Sequence, residues 1–307
     1  MRHLIVLFFF ALFITAAAPS SAFARVKKIV KPPACVPTIA QNANYVGEKI
    51  PVCLQSFLIA DQNGMVIDAK NASAVRSIAS LTKMMTAVVL LNEWVDWDTP
   101  ITFNKKKHLA YKNDMEWRTG EKIAPKDLFY TMLTGSINEA ANMLVDATPY
   151  TRPEFVKKMN EKAQELGLAN THFADPSGLN PKNVSTAEDI LKLFRHALTY
   201  PEIELALSAP SYEFDEIKSL DKRVHRFMHH TNPLMRQNQP FEIVASKTGF
   251  INEAQRTMAM QFIDPVKAER YFVIALGEPR GRDDYFGTRD LVVRFLERTE
   301  KIAAASQ

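Results

Sequence analysis

Apolar and polar positions along this chain follow two rhythms, and the rhythm changes twice. Residues 54–60 and 65–69 read as two antiparallel strands joined through Asp61-Gln62-Asn63-Gly64, whose Asn-Gly supplies the positive φ that a tight hairpin turn needs. A helix is predicted directly afterwards. Met84, Met85, Ala87, Val88, Val89, Leu90 and Leu91 are apolar on nearly every face, as in a helix enclosed by a core. From about residue 96 to 210 the signals stay helical. Pro125 opens a helix in its first turn with Leu128, Met132 and Leu133 on one face; Thr134-Gly135 closes it, and Ser136-Ile137-Asn138-Glu139 starts the next. Residues 155–166 form a helix stopped by Gly167, and Asp175-Pro176-Ser177-Gly178 is a turn. Ser185-Thr186-Ala187-Glu188 reads as a capping box ahead of Ile190, Leu191 and Phe194.

Beyond Ser211 the period shortens. Residues 212–214, 224–229, 243–249, 257–263 and 271–276 alternate or run apolar like strands, and residues 285–300 form a closing helix bearing Leu291, Val292, Phe295 and Leu296. Strands, a helical block, strands and a last helix predict an α+β fold. Its antiparallel sheet takes its first strands from the amino end and is flanked by helices, with the helical block as a subdomain. No internal repeat or low-complexity tract interrupts it.

The amino terminus changes the picture of where the protein works. Met1-Arg2-His3 is positively charged, residues 4–18 are almost wholly apolar, and Ala22-Phe23-Ala24 ends the run with small residues. That is the pattern of a secretory signal peptide over residues 1–24, cleaved after Ala24. The apolar run falls short of the ~20 residues a membrane span needs. Residues 25–39 are basic and proline-containing, an extended arm, and residues 40–303 remain for one catalytic-sized domain. Export predicts a periplasmic protein, with peripheral contact to a membrane left open. It also makes Cys35 and Cys53 disulfide candidates, free buried thiols being the alternative. Across 307 residues the formal charge is +4, too small and diffuse to argue for nucleic acid.

Candidate chemistry begins at Ser80-Leu81-Thr82-Lys83. A hydroxyl and an ammonium at i and i+3 lie on one side of a helix, one turn apart. Burial disfavours the charged form of the lysine, and a neutral lysine can take the serine's proton. The bland alternative is a capping Ser80 and an outward-snorkelling Lys83. Ser136-Ile137-Asn138 follows in the break between two helices, where Ser136 and Glu139 would otherwise make a capping box. Lys247-Thr248-Gly249 lies on a strand, where a plain edge strand with an exposed lysine is the alternative.

These motifs, in this order, resemble the Ser-x-x-Lys, Ser-x-Asn and Lys-Thr-Gly set of penicillin-binding proteins and serine β-lactamases. Over residues 54–297 the chain is similar to the serine D-Ala-D-Ala carboxypeptidase family of low-molecular-mass penicillin-binding proteins. Ile78-Ala79-Ser80-Leu81-Thr82-Lys83, Met159-Asn160, Leu166-Gly167-Leu168, Thr171-His172-Phe173, Asp175-Pro176-Ser177-Gly178-Leu179, Ser185-Thr186-Ala187-Glu188-Asp189 and Lys247-Thr248-Gly249-Phe250 carry that likeness. His230-Thr231-Asn232-Pro233-Leu234 and Lys247 to Asn252 resemble its small periplasmic D-alanyl-D-alanine endopeptidase branch. The end at Gln307, short of the extra β-domain and amphipathic helix of the larger carboxypeptidases, tilts the expectation the same way.

The resemblance implies a penicillin-binding-protein fold and an acyl-serine mechanism. Ser80 is the nucleophile, Lys83 its base, and Ser136 the relay to the leaving amine. Asn138 binds substrate and helps hold Lys83; Lys247 and Thr248 receive the substrate carboxylate. The strand at Gly249 and Phe250 lines the site, with the backbone N–H groups of Ser80 and Phe250 holding the oxyanion. It implies peptidoglycan peptide stems as substrates, β-lactam antibiotics as covalent inhibitors, and no metal or other cofactor. Two departures stand out. Ile137 and Glu139 replace a glycine and an aspartate, so Ile137 is expected to reshape the cleft. Gln255-Arg256 replaces a small residue and its neighbour, with a solvated Arg256 favoured over a carboxylate contact. A metal at His229-His230 is disfavoured because adjacent strand residues face opposite ways. A serine β-lactamase, which needs a glutamate-bearing loop to activate water, and a catalytically silent peptidoglycan-binding protein are the other readings.

Overall fold

The computed structural model describes residues 54–111, 115–220, 224–279 and 285–305. The predicted signal peptide, the arm, Cys35 and Cys53 lie outside the described residues. In chain order the strands are β1 (Ser56–Asp61), β2 (Val66–Lys70), β3 (Arg76–Ser77), β4 (Ile101–Thr102), β5 (Lys122–Ile123) and β6 (Val184–Ser185), followed by β7 (Ser211–Asp215), β8 (His225–His229), β9 (Glu242–Ile251), β10 (Gln255–Asp264) and β11 (Glu269–Glu278). The helices are α1 (Thr82–Asn92), α2 (Lys105–His108), α3 (Pro125–Thr134) and α4 (Asn138–Leu144), then α5 (Arg152–Glu165), α6 (Ala187–Ala197), α7 (Pro201–Ser208) and α8 (Phe286–Ala305). A 3₁₀ turn, Ala79–Leu81, leads into α1.

An antiparallel sheet in the order β2-β1-β11-β10-β9 separates two cores. Alternation along the strands sorts the side chains. Leu58, Ala60, Phe272, Ile274 and Leu276 face the helical block, while Phe57, Ile59, Tyr271, Val273 and Ala275 face α8 through Leu291, Val292, Phe295 and Leu296. Because both faces are covered, β1 and β11 read as unbroken apolar runs. Each fully enclosed Leu, Ile, Val or Phe contributes about 1.5–3 kcal/mol of transfer free energy. The pattern-based α+β reading thus matches the observed architecture, and α1, buried from Thr82 to Leu90, runs through the larger core.

Turn chemistry explains the junctions. Gly64 sits at φ +87, and Asp61 Oδ1 accepts the N–H groups of Asn63 (2.9 Å) and Met65 (2.8 Å) to close the β1–β2 hairpin. Gly167, at φ +65, ends α5. Two expectations shift. The cap of α6 is Thr186, accepting from Asp189 N–H, and not Ser185, because the Ser185 backbone is committed to the ladder with Arg76. The strands β7 and β8 pair with each other and sit on α3, outside the central sheet. Tyr212 stacks on Tyr130 with centroids 4.9 Å apart and donates its hydroxyl to Asp127 Oδ1 at 2.6 Å.

Candidate active site

Backbone packing fixes where Ser80 stands. Ala79 takes φ +48, outside the usual range for a non-glycine residue, and turns the chain from β3 into the 3₁₀ turn. Two glycines let other segments approach. A Cβ on Gly178 would lie 2.1 Å from the Ala79 carbonyl oxygen, and one on Gly249 would lie 2.7 Å from the Ser80 nitrogen. The turn at Gly178 and the edge strand β9 therefore close on the nucleophile from two sides. Thr257 Oγ1 donates to the Ile78 carbonyl (3.1 Å) and Thr82 Oγ1 to that of Ala79 (2.7 Å), which holds the strained turn.

Lys83 is completely enclosed, yet its Nζ has three oxygens within reach: Ser80 Oγ at 2.9 Å, Asn138 Oδ1 at 2.7 Å and the Ser177 carbonyl at 2.5 Å. Desolvation pulls its pKa down to about 7, against the attraction of Asp175 and Glu139 for the charged form. In the neutral amine two N–H bonds serve Asn138 and Ser177, which leaves the lone pair for the Ser80 hydroxyl proton. Asp175 builds the turn that presents the Ser177 carbonyl. Its Oδ1 accepts the N–H groups of Ser177 (2.7 Å) and Gly178 (2.6 Å), and its Oδ2 that of Asn180 (2.5 Å).

Ser136, at φ +58, does not cap α4. The N-cap is Ile137, and Ser136 Oγ instead accepts from Lys247 Nζ at 2.7 Å. Burial, with Lys83 as a like charge, holds Lys247 well below the ordinary lysine range. Lys247 is thus not an exposed edge lysine. Thr248 Oγ1 meets Thr231 Oγ1 at 2.6 Å. Phe250 follows Gly249 on β9, half-buried and in register with Arg256 on β10. Every candidate site residue among the described ones falls in this one region, on the 3₁₀ turn, α1, the α3–α4 junction and β9. Ile137, next to Ser136, packs into the helical core.

Arg256 is also not solvated. It is 8% exposed, lies 5.8 Å over the Tyr285 ring, and donates Nη1 to the Pro279 carbonyl at 3.2 Å. His230 is a neutral structural histidine: Nδ1 accepts from Asn232 N–H (2.9 Å) and Nε2 donates to the Ser246 carbonyl (3.0 Å). Burial and nearby Lys247 push its pKa to about 3. Both ring nitrogens are occupied, and His229 is exposed on β8. Two contributors escaped the motif reading: the Ser177 carbonyl and Thr231. A backbone carbonyl leaves no side-chain signature, while Thr231 sat within a recognised stretch whose contact with Thr248 no spacing rule supplies.

A buried lysine bonded to a serine hydroxyl, between a helical block and an antiparallel sheet, is a serine–lysine pair of the kind that suits nucleophilic catalysis. The chain belongs to the D-alanyl-D-alanine carboxypeptidase family, peptidase S11, whose profile matches residues 48–269. It is 34% identical over 212 residues to the D-alanyl-D-alanine endopeptidase of Pseudomonas aeruginosa, covering 67% of this chain and 66% of that protein. With the D-alanyl-D-alanine endopeptidase of Escherichia coli K12 it shares 32% identity over 215 residues, 68% of this chain and 66% of that one. The chain thus spans about two thirds of the length of these relatives. The fold is that of the D-alanyl-D-alanine carboxypeptidase of Mycobacterium tuberculosis H37Rv, with TM-score 0.69 at 23% identity over 80% of this chain and 91% of that one. The Streptomyces K15 DD-transpeptidase superposes with TM-score 0.67 at 24% identity over 74% and 90% of the two chains.

Proposed function

We propose that this protein is a peptidoglycan DD-peptidase that cleaves the bond following a D-alanine through an acyl-serine intermediate. The observation that carries the reading is the Lys83 amine, buried and in reach of Ser80 Oγ, Asn138 and the Ser177 carbonyl at once. Lys83 takes the Ser80 proton as Oγ attacks the D-alanine carbonyl. A C–O bond forms and the C–N bond to the departing amine breaks. Ser136, held by Lys247, relays to that amine the proton Lys83 took. Water then adds to the acyl carbonyl, its C–O bond forms as the bond to Ser80 Oγ breaks, and its proton returns to Ser80. The N–H groups of Ser80 and Phe250 hold the oxyanion; Lys247 and Thr248 receive the substrate carboxylate.

Substrates are peptide stems of the cell wall, and β-lactams act as covalent inhibitors at Ser80. Cross-link cleavage is favoured over release of terminal D-alanine because the relatives named endopeptidase share 32–34% identity with the chain, against 28–30% for those named carboxypeptidase. We assign the mature enzyme to the periplasm on the predicted leader ending at Ala24. Among the described residues no helix is long and apolar enough to cross a membrane.

Mass spectrometry of the protein incubated with penicillin, then with cross-linked muropeptides, tests this. A penicillin adduct on Ser80 with loss of the cross-link is expected. Terminal D-alanine release alone makes the protein a carboxypeptidase. Rapid turnover of penicillin makes it a β-lactamase, and a folded protein with neither adduct nor cleavage refutes the enzyme.

A further inference from the structure

Strand β8 carries an outward row of side chains that ends at the candidate active site. Met228 and His230 point inward: a Cβ on Gly135 would lie 2.6 Å from Met228 Sδ, and His230 Nε2 bonds the Ser246 carbonyl. Residues two apart on a strand share a face, so His225, Phe227 and His229 stand on the other one, all exposed. The Phe227 and His229 rings meet edge to face with centroids 4.9 Å apart. His225 is taken up on β7 by Glu213 at 3.6 Å and Asp215 at 3.2 Å, which leaves the Phe227–His229 pair as the open part of the row. Two residues beyond His229 the chain is pinned at the site itself. Thr231 N–H donates to the Thr134 carbonyl at 3.2 Å, beside Ser136, and Thr231 Oγ1 meets Thr248 Oγ1 at 2.6 Å. The Phe227 ring is 52% exposed, a large apolar group that the fold itself leaves uncovered next to this mouth.

We propose that Phe227 and His229 form a leaving-side subsite for the second peptide stem of a cross-link. This rests on the reading of Ser80 as the nucleophile and of Thr248 as a receiver of the substrate carboxylate. The group that departs from a terminal D-alanine bond is one amino acid, whereas the group that departs from a cross-link carries a whole second stem. Thr248 marks the leaving side, and the row starts there. At roughly 3.3 Å per strand residue, Phe227 lies about 13 Å of chain from Thr231. A free D-alanine spans roughly 4 Å and ends short of both rings, while a stem of several residues reaches them. Such a stem presents amide planes and methylene side chains, and both pack on aromatic rings. Continuity from Thr248 through Thr231 to His229 thus selects a peptide joined to the leaving amine as the occupant of this shelf.

Two substrates measured side by side test this: a cross-linked muropeptide dimer, and the single stem ending in D-Ala-D-Ala. Phe227→Ala and His229→Ala are expected to lower kcat/KM for the dimer about 10-fold relative to that for the single stem, chiefly through KM. Phe227→Tyr keeps the ring and is expected to hold the wild-type ratio. Equal losses on both substrates, or no loss on either, overturn the proposal. So does a wild type that releases terminal D-alanine and leaves cross-links intact. The subsite is also read without turnover. In Ser80→Ala carrying ¹³C-labelled phenylalanine, the Phe227 ring signal is expected to shift with the dimer and not with the single stem. An unmoved ring, or the same shift with both, overturns the proposal. If penicillin never acylates the wild-type protein, the acyl-serine reading fails by itself, and this binding measurement still decides the subsite.

Discussion

Gly249 leaves no room for a side chain in front of Ser80: a methyl group there would sit 2.7 Å from the Ser80 nitrogen and 2.6 Å from Thr257 Oγ1. Neither neighbour is free to yield, because one is backbone of a strained turn and the other bonds the Ile78 carbonyl. Gly249→Ala is therefore expected to lose about 1–3 kcal/mol of stability through overpacking. Penicillin acylation should slow by about 100-fold or more, as the proposed oxyanion donors, the N–H groups of Ser80 and Phe250, are displaced. Thermal melts and acylation rates check both.

The pH dependence follows from Lys83. Its neutral form is the proposed base, and burial lowers its pKa to about 7. Acylation should rise with pH through a midpoint near 7 and not near the ~10.4 of a free lysine. Stability is linked with the same sign. Between about 7 and 10.4 the unfolded chain carries a proton on this lysine that the folded chain does not. The group therefore destabilises the fold increasingly as pH drops across that window, and the penalty fades as pH rises. Urea unfolding of wild type against Lys83→Met from pH 7 to 10 measures it. Equal slopes in the two proteins would contradict this account.

Ser136 accepts from Lys247 and is the one hydroxyl assigned to the leaving amine. Ser136→Ala should lower turnover of muropeptide by about 10²–10⁴-fold, the usual worth of a proton-transfer group. Ser80→Ala should abolish covalent labelling while leaving the circular dichroism unchanged. Labelling that survives in Ser80→Ala assigns the nucleophile elsewhere.

Away from the site, Tyr212→Phe deletes the 2.6 Å bond to Asp127 that docks the β7–β8 hairpin on α3. The ring stack on Tyr130 survives. About 1–3 kcal/mol of stability should go, since Asp127 is left half-buried without its donor. Acylation at 25 °C should be unchanged, and a matched loss of rate would tie the hairpin to the site.

Much of the site was legible in the sequence. Ser80-x-x-Lys83, Ser136-x-Asn138 and Lys247-Thr248-Gly249 are side-chain motifs in order, and a resemblance to a known family rests on them. The errors came where one residue had two physical uses. Ser136 and Glu139 have the spacing of a capping box, but each side chain is drawn to a partner far along the chain, Lys247 and Ala110 N–H. Arg256 looked like a solvated strand residue until the Tyr285 ring covered it.

By itself the sequence determined the elements, because the continuous apolar runs of β1 and β11 and the all-round apolar pattern of α1 are properties of local spacing. It also determined the turns at Gly64 and Gly167, where φ is positive. Tertiary structure alone decided that Lys83 and Lys247 are both stripped of water, since that depends on α4, the 175–178 turn and β9 closing around them. It decided, too, that a backbone carbonyl at Ser177 completes the lysine's partners. Burial and long-range contact are collective properties of the packed chain, and no window of neighbouring residues contains them.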